Sequence, residues 1–173
     1  RAHRSYALRQ QQETAAQLLR VASRLAPGLL RIYFAPLLRT LLTLLRETSP
    51  PSAAELLLTL AELISVTSAA ELDRHVATLL ELCVDALQRA GSSPRARAAL
   101  TAFEQLLACA RPAALGSSPY ERYPHLLHTL LGLVGAESAE IAEGFAVSAV
   151  RVLGMLGALE PLRYRTAVTR ARE

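Results

Sequence analysis

The segment Leu126-Leu-His-Thr-Leu-Leu-Gly-Leu-Val134 decides the fold, because the same pattern of leucines occurs twice more upstream. The matching segments are residues 37–45 and 79–87, and the three copies begin 42 and 47 residues apart. A second series of segments alternates with the first, at residues 20–25, 59–64, 102–107 and 152–157. Helix pairs that recur every forty-odd residues are typical of HEAT and armadillo arrays, and two helices per unit favour HEAT.

Composition supports helices. About half of the 173 residues are apolar, tryptophan is absent, and the chain has only three phenylalanines and five tyrosines. Leucine and alanine dominate, which favours helices over sheets. We therefore predict an all-α fold, an α-solenoid of HEAT-like repeats with about three and a half antiparallel helix pairs. A compact helical bundle is the structural alternative.

The predicted domain organisation is one HEAT-repeat array over residues 1–173, with approximate repeats at 5–46, 52–90, 94–135 and 140–173. The chain begins with Arg1 rather than methionine, and no polar capping helix closes either end. A solenoid normally ends in such caps, because its terminal helices otherwise expose apolar faces. We therefore expect a fragment of a longer solenoid.

Proline, glycine and serine residues predict where the helices begin and end. Pro27 and Gly28 should end the first helix, and Pro36 should lie in the first turn of the main part of the second. Ser52, Ser68 and Ser93 are candidate N-caps. The predicted helices cover about residues 5–25, 29–46, 52–66, 68–90, 93–110, 124–135 and 140–159, with a linker at 111–119 and an eighth helix from 161.

Gly154 and Gly157 lie inside a predicted helix, where each costs about 1 kcal/mol relative to alanine. The cost is accepted where a neighbouring helix must approach closely. We therefore expect a close helix contact at this face.

Charge is spread unevenly along the chain. All 19 basic residues are arginines, and the net charge is +4. Residues 1–46 hold eight arginines and one glutamate, whereas the middle of the chain is acidic. Basic ends can bind nucleic acid or an anionic membrane. No aromatic residues interleave with these arginines as a stacking platform would require, so solvated helix faces are favoured. No signal peptide or transmembrane segment is evident.

Residues that could carry chemistry are few. His125 and His128 have the spacing of a metal pair, but no Asp, Glu or Cys completes a site on their stripe, which should face solvent. Cys83 and Cys109 lie in apolar helical runs and are expected to be buried, reduced thiols. No phosphate loop, nucleophile elbow or kinase signature is present. We predict no catalytic residue, no cofactor and no metal ligand, and no catalysis by this chain.

Two tyrosines, Tyr120 and Tyr123, precede the helix that begins near Pro124. We expect them to pack the linker against the next repeat with their hydroxyl groups at the surface. A contact with a partner protein is the alternative.

The same tyrosines belong to a recognisable motif. Residues 118–127, Ser-Pro-Tyr-Glu-Arg-Tyr-Pro-His-Leu-Leu, resemble the PYxxYPxLL stretch in the central HEAT region of target-of-rapamycin kinases. Residues 151–161, Arg-Val-Leu-Gly-Met-Leu-Gly-Ala-Leu-Glu-Pro, resemble that family's RVLGLLGALDP. The strong resemblance covers about residues 118–165, and weaker similarity extends back to about residue 32. Glu160 replaces the usual Asp, and Leu162 stands where an aromatic residue is common.

The resemblance implies a non-catalytic scaffold segment that precedes the catalytic part of a Ser/Thr protein kinase controlling growth in response to nutrients. It implies Raptor- or Rictor-like partner subunits, a homodimer in the parent complex, and a cytoplasmic location that includes the surface of internal membranes through the parent complex. The family's catalytic residues have no counterpart in this chain. The alternative is a free-standing HEAT-repeat adaptor for protein–protein interaction, and a nucleic-acid binder is the least favoured reading.

Overall fold

The computed structural model describes residues 2–47, 50–90, 93–116, 119–135 and 142–172. These residues form helices joined by turns, and within those ranges there is no β-strand. The helices are α1 (Ala2–Leu25), α2 (Pro27–Ile32), α3 (Phe34–Glu47), α4 (Pro50–Val66), α5 (Ala69–Leu72), α6 (Val76–Ala90), α7 (Pro94–Cys109), α8 (Pro112–Leu115), α9 (Pro119–Arg122), α10 (His125–Gly135), α11 (Ala142–Leu159) and α12 (Pro161–Arg172).

The long helices are arranged in two layers. In the first layer α1, α4, α7 and α11 stack side by side in chain order. In the second layer α3 packs on α4, α6 on α7, and α10 on α11, while α12 covers α10 and α11. Each unit thus contacts mainly its neighbours, which is the arrangement of a solenoid. The predicted all-α helical-repeat solenoid is confirmed, and the division into four repeats stays a prediction.

The most extensive contact in the stack is between α4 and α7. Both helices bury alanines, including Ala53 and Ala61 on α4 and Ala99 and Ala102 on α7. Small side chains let two helix backbones approach each other. Larger side chains fill the space around them: Leu56, Leu57, Leu60, Leu63, Ile64, Leu100, Phe103 and Leu106 are all at most 1% exposed. The core is therefore centred on this pair of helices.

The first helix differs from its equivalents in the middle of the array. The sequence alignment of the repeats places Val21, Leu60 and Phe103 at one position. Leu60 and Phe103 are fully buried, whereas Val21 is 52% exposed. Neighbouring apolar side chains on α1, on α2 and in the turn after α2 are exposed too, namely Leu18, Leu25, Leu29, Ile32 and Tyr33. The outer face of the first unit is thus apolar and uncovered.

Two of the three predicted N-caps are confirmed. The Ser68 hydroxyl accepts a hydrogen bond from the Glu71 backbone N–H at 3.3 Å, and Ser93 accepts one from Ala96 N–H at 3.4 Å. The third was wrong. Ser52 lies inside α4, which begins at Pro50, and its hydroxyl donates to a carboxylate oxygen of Glu13 on α1 at 2.9 Å. The Ser52 hydroxyl therefore makes a tertiary hydrogen bond instead of the N-cap bond that the local sequence pattern predicts.

Helix boundaries also differ in two places. The predicted second helix is two helices, because α2 begins at Pro27 itself and the chain turns at Tyr33 before α3. Pro36 does lie in the first turn of α3, as expected. The predicted fourth helix is interrupted by a turn at residues 73–75. There Asp73 binds both the backbone N–H and the guanidinium of Arg111, which ties the turn to the start of α8. That short helix lies within the predicted 111–119 linker.

The uneven charge has a structural explanation. Arg20 and Arg24 on α1 pair with Glu55 and Glu62 on α4 at 3.1 and 2.9 Å. The Arg31 guanidinium donates to the Val66 carbonyl at 2.6 Å. The basic first unit therefore lies against the acidic second unit. Such partly exposed pairs contribute about 0–1 kcal/mol each, so they favour a register more than they stabilise the fold.

The two cysteines differ in accessibility. Cys83 is completely buried, and burial raises the pKa of its thiol from about 9 to about 12. Cys109 is half-buried, and burial also raises the pKa of its thiol. Since the thiolate is the reactive form, both environments disfavour reaction, that of Cys83 far more.

We expect Cys83 in the folded protein to react with Ellman's reagent at pH 8 at least ~100 times more slowly than a free thiol. Because burial favours the neutral thiol, its contribution to stability is present below pH 9 and is lost as the pH rises towards 12. A Cys109→Ser variant isolates the reaction of Cys83, and addition of urea should restore the ordinary rate. Fast labelling of the native variant would contradict the buried position.

Candidate interaction site at the junction of the two motifs

The tyrosine motif begins with a short, buried helical turn. In α9, both Pro119 and Tyr120 are buried. The Tyr120 ring meets the Tyr164 ring of α12 edge to face, with centroids 5.8 Å apart and planes at 67°. Its hydroxyl donates a long hydrogen bond of 3.4 Å to the carbonyl oxygen of Glu160, in the connector between α11 and α12. The loop before α10 is thereby attached to the last two helices.

The second motif supplies the space for this contact. A Cβ atom placed on Gly157 would lie 3.0 Å from two ring carbons of Tyr164. That distance is shorter than ordinary van der Waals contact, so the aromatic ring approaches α11 this closely because residue 157 has no side chain. The predicted close approach is confirmed at Gly157. At Gly154 it was wrong, since nothing would lie within 4 Å of a Cβ atom there.

Charged side chains surround the aromatic contact. Arg163 lies 3.6 Å from the carboxylate of Glu121 and 3.5 Å from that of Glu160. The pKa of the Tyr164 hydroxyl is raised, first by its burial and also by Tyr120, while Arg172 acts in the opposite direction. The neutral phenol therefore persists through the physiological pH range.

The two motifs thus form one structure, although their tyrosine and Gly-Ala-Leu-Glu-Pro parts are almost forty residues apart. We call Tyr120, Gly157, Glu160 and Tyr164 the motif junction. Sequence reasoning identified the tyrosine and glycine motifs but missed Tyr164. The available signal was its position seven residues after Gly157, two helical turns along, although Pro161 lies between them.

The Tyr120 hydroxyl lies inside the protein, which corrects the expectation that it would be at the surface. Tyr123 is half-buried, with the Arg122 guanidinium 5.5 Å from its ring centre. His125 and His128 are exposed, as expected. In the ranges that the structure describes, no group of three His, Cys, Asp or Glu residues could hold a metal ion. Over the same ranges, no helix has both the length and the apolar character needed to cross a membrane.

An uncovered apolar surface adjoins the motif junction. Val147 and Val150 on α11 are 53% and 54% exposed, and Leu162 at the start of α12 is 80% exposed. Gly154 lies on the same side of α11, with open space above it. We call these four residues the outer face of the last unit. Exposed aliphatic side chains beside a rigid junction are suited to packing against another protein surface.

Comparison with known proteins agrees with the motifs. Residues 117–173 match the family model described as the serine/threonine-protein kinase mTOR domain. This range contains every residue of the motif junction, and the match supports a segment of target-of-rapamycin type over these residues. The strong resemblance is therefore confirmed, and the weaker similarity back to about residue 32 stays a prediction. No curated protein and no solved structure matches the chain.

The two glycines of α11 provide a matched test of the junction. Gly154→Ala should raise the free energy of unfolding by up to about 1 kcal/mol, because alanine favours the helix and the space is open. Gly157→Ala should instead leave the protein about 1–3 kcal/mol less stable than Gly154→Ala, because the new methyl group meets the Tyr164 ring. Urea unfolding of both variants measures the difference. Equal effects would show that the ring does not constrain residue 157.

Proposed function

We propose that this chain is a non-catalytic helical scaffold segment of a target-of-rapamycin-like kinase, which positions partner subunits in a nutrient- and growth-signalling complex. The observation that carries the proposal is the family match over residues 117–173, which contain both motifs of the junction. The parent protein would supply the Ser/Thr kinase activity from another part of its chain.

The packing supports a mechanical role. Each unit is attached to the next by a continuous core, and the motif junction attaches the connector before α10 to α11 and α12. A stack of this kind holds surfaces at fixed separations, which is what a scaffold requires. The apolar faces at the first and last units are the surfaces on which further helix pairs or partner subunits would pack.

The proposed partners are Raptor- or Rictor-like subunits, with a homodimer of the parent complex and a cytoplasmic or internal-membrane location as further parts of the proposal. The arginines Arg20, Arg24 and Arg31 weigh against nucleic-acid binding, because each is already paired with a carboxylate or a carbonyl of the second unit. Guanidinium groups that are paired in this way attract phosphate less strongly.

The test uses the full-length protein, tagged at its own locus and purified from the source cells. We expect a Ser/Thr kinase activity and Raptor- or Rictor-like subunits in the preparation. The double variant Val147→Glu/Val150→Glu places charges on the outer face of the last unit and should reduce the amount of copurified subunit at least fivefold. Ala113→Glu, an exposed residue on α8, is the matched control and should retain the subunit.

Two results would contradict the proposal. A polypeptide that carries no kinase activity and ends after a few more helix pairs would support the adaptor alternative instead. Equal recovery of subunits with both variants would show that the outer face of the last unit does not bind them.

A further inference from the structure

A groove of about 550 Å³ lies in the second layer of helices, between α3 and α6, with the first turn of α7 and Tyr123 at its edge. Its apolar lining includes Leu42, Leu45, Leu82 and Val84. The groove follows from the packing of the two layers. In the first layer α4 and α7 make an extensive contact, whereas α3 and α6 in the second layer make little contact with each other. A solenoid whose layers pack unequally opens on the looser side.

The groove carries charge at both ends. Arg46, Arg89 and Arg95 lie near one end, where α3 and α6 finish and α7 begins. Glu81 lies two turns before Arg89 on α6, about 12 Å along the helix axis. Asp85, one turn before Arg89, also lines the groove, which is therefore basic at one end and acidic along α6 towards the other.

The three arginines of the groove differ in whether they have an ion-pair or hydrogen-bond partner. Arg89 pairs with Asp85 at 2.8 Å. Arg46 and Arg95 have neither an ion pair nor a side-chain hydrogen bond to any residue that the structure describes. The Nε–H of Arg95 is also shielded from solvent without an acceptor. Leaving such a donor unpaired is unfavourable, and Arg95 lies in addition at the positive end of the α7 dipole. Both features favour an anionic acceptor at this end of the groove.

We propose that this groove binds a short acidic segment of a partner protein. Carboxylates of the segment would accept hydrogen bonds from Arg46 and Arg95, and its aliphatic side chains would lie on Leu42, Leu45 and Leu82. Glu81 repels acidic residues at the other end and so orients the segment. Charge complementarity selects this occupant, because a purely apolar helix would leave the arginines unpaired and a basic one would be repelled by them.

The proposal adds a partner chemistry to the scaffold role and rests on that role as a protein-binding segment. The peptide-binding proposal can fail while the scaffold role stands. If a preparation that still holds kinase activity and partner subunits binds no peptide, the proposed function remains supported.

The experiment selects peptides from a displayed library of random 12-residue sequences on the immobilised full-length protein, and measures their affinity by fluorescence polarisation. We expect the selected peptides to be enriched in Asp and Glu together with Leu. The double variant Arg46→Gln/Arg95→Gln should raise their Kd at least tenfold, and Arg46→Gln alone at least threefold. Arg46 is exposed, so its substitution should leave the melting temperature unchanged.

The matched control is Arg39→Gln, an exposed residue on α3 that lies outside the groove and donates to the carbonyl of Ala35. It should bind the peptides like the unaltered protein. No enrichment, enrichment of peptides without acidic residues, or an unchanged Kd for the double variant would overturn the proposal. The proposal would also be overturned if a single-stranded RNA probe bound more tightly than the selected peptides and lost this binding in the Arg46→Gln/Arg95→Gln variant.

Discussion

The close packing of α4 against α7 is the contact on which the rest of the array depends. It removes several large aliphatic side chains from water at once, and each fully buried leucine or isoleucine contributes about 1.5–3 kcal/mol. Leu57, Leu60 and Ile64 on α4 are buried completely. The outer units are attached by smaller interfaces: ion pairs contribute to the contact of α1 with α4, and α12 packs on α10 and α11 through Tyr164 and several aliphatic side chains.

The motif junction shows how the residues of two short sequence motifs can depend on one another in the fold. Tyr120 needs a carbonyl and an aromatic partner, Tyr164 needs a residue without a side chain opposite its ring, and Pro161 starts the helix that carries Tyr164. These requirements depend on one another, so the motif residues act as a unit that fixes the direction of α12 relative to α11. In a scaffold, that direction determines where the next surface is presented.

Much of the fold could be predicted because its signals are local. The leucine periodicity, the caps at Ser68 and Ser93, and the position of Pro36 each depend on a few neighbouring residues. The features that could not be predicted depend on residues distant in sequence. The Ser52 hydroxyl bonds to Glu13 on another helix instead of capping its own helix. The motif junction requires Tyr164, which lies outside both sequence motifs. The groove between α3 and α6 depends on a difference in packing between the two layers of helices. Helical periodicity in the sequence does not predict that difference.

Native-state hydrogen exchange of the full-length protein tests most directly whether stability spreads outwards from the contact of α4 with α7. The backbone amides of these two helices should exchange most slowly, those of α6 next, and those of α1 and α12 fastest, as expected for units coupled to their neighbours. If α12 were protected as strongly as α4, or if every helix exchanged at one rate, the array would not be organised around that contact.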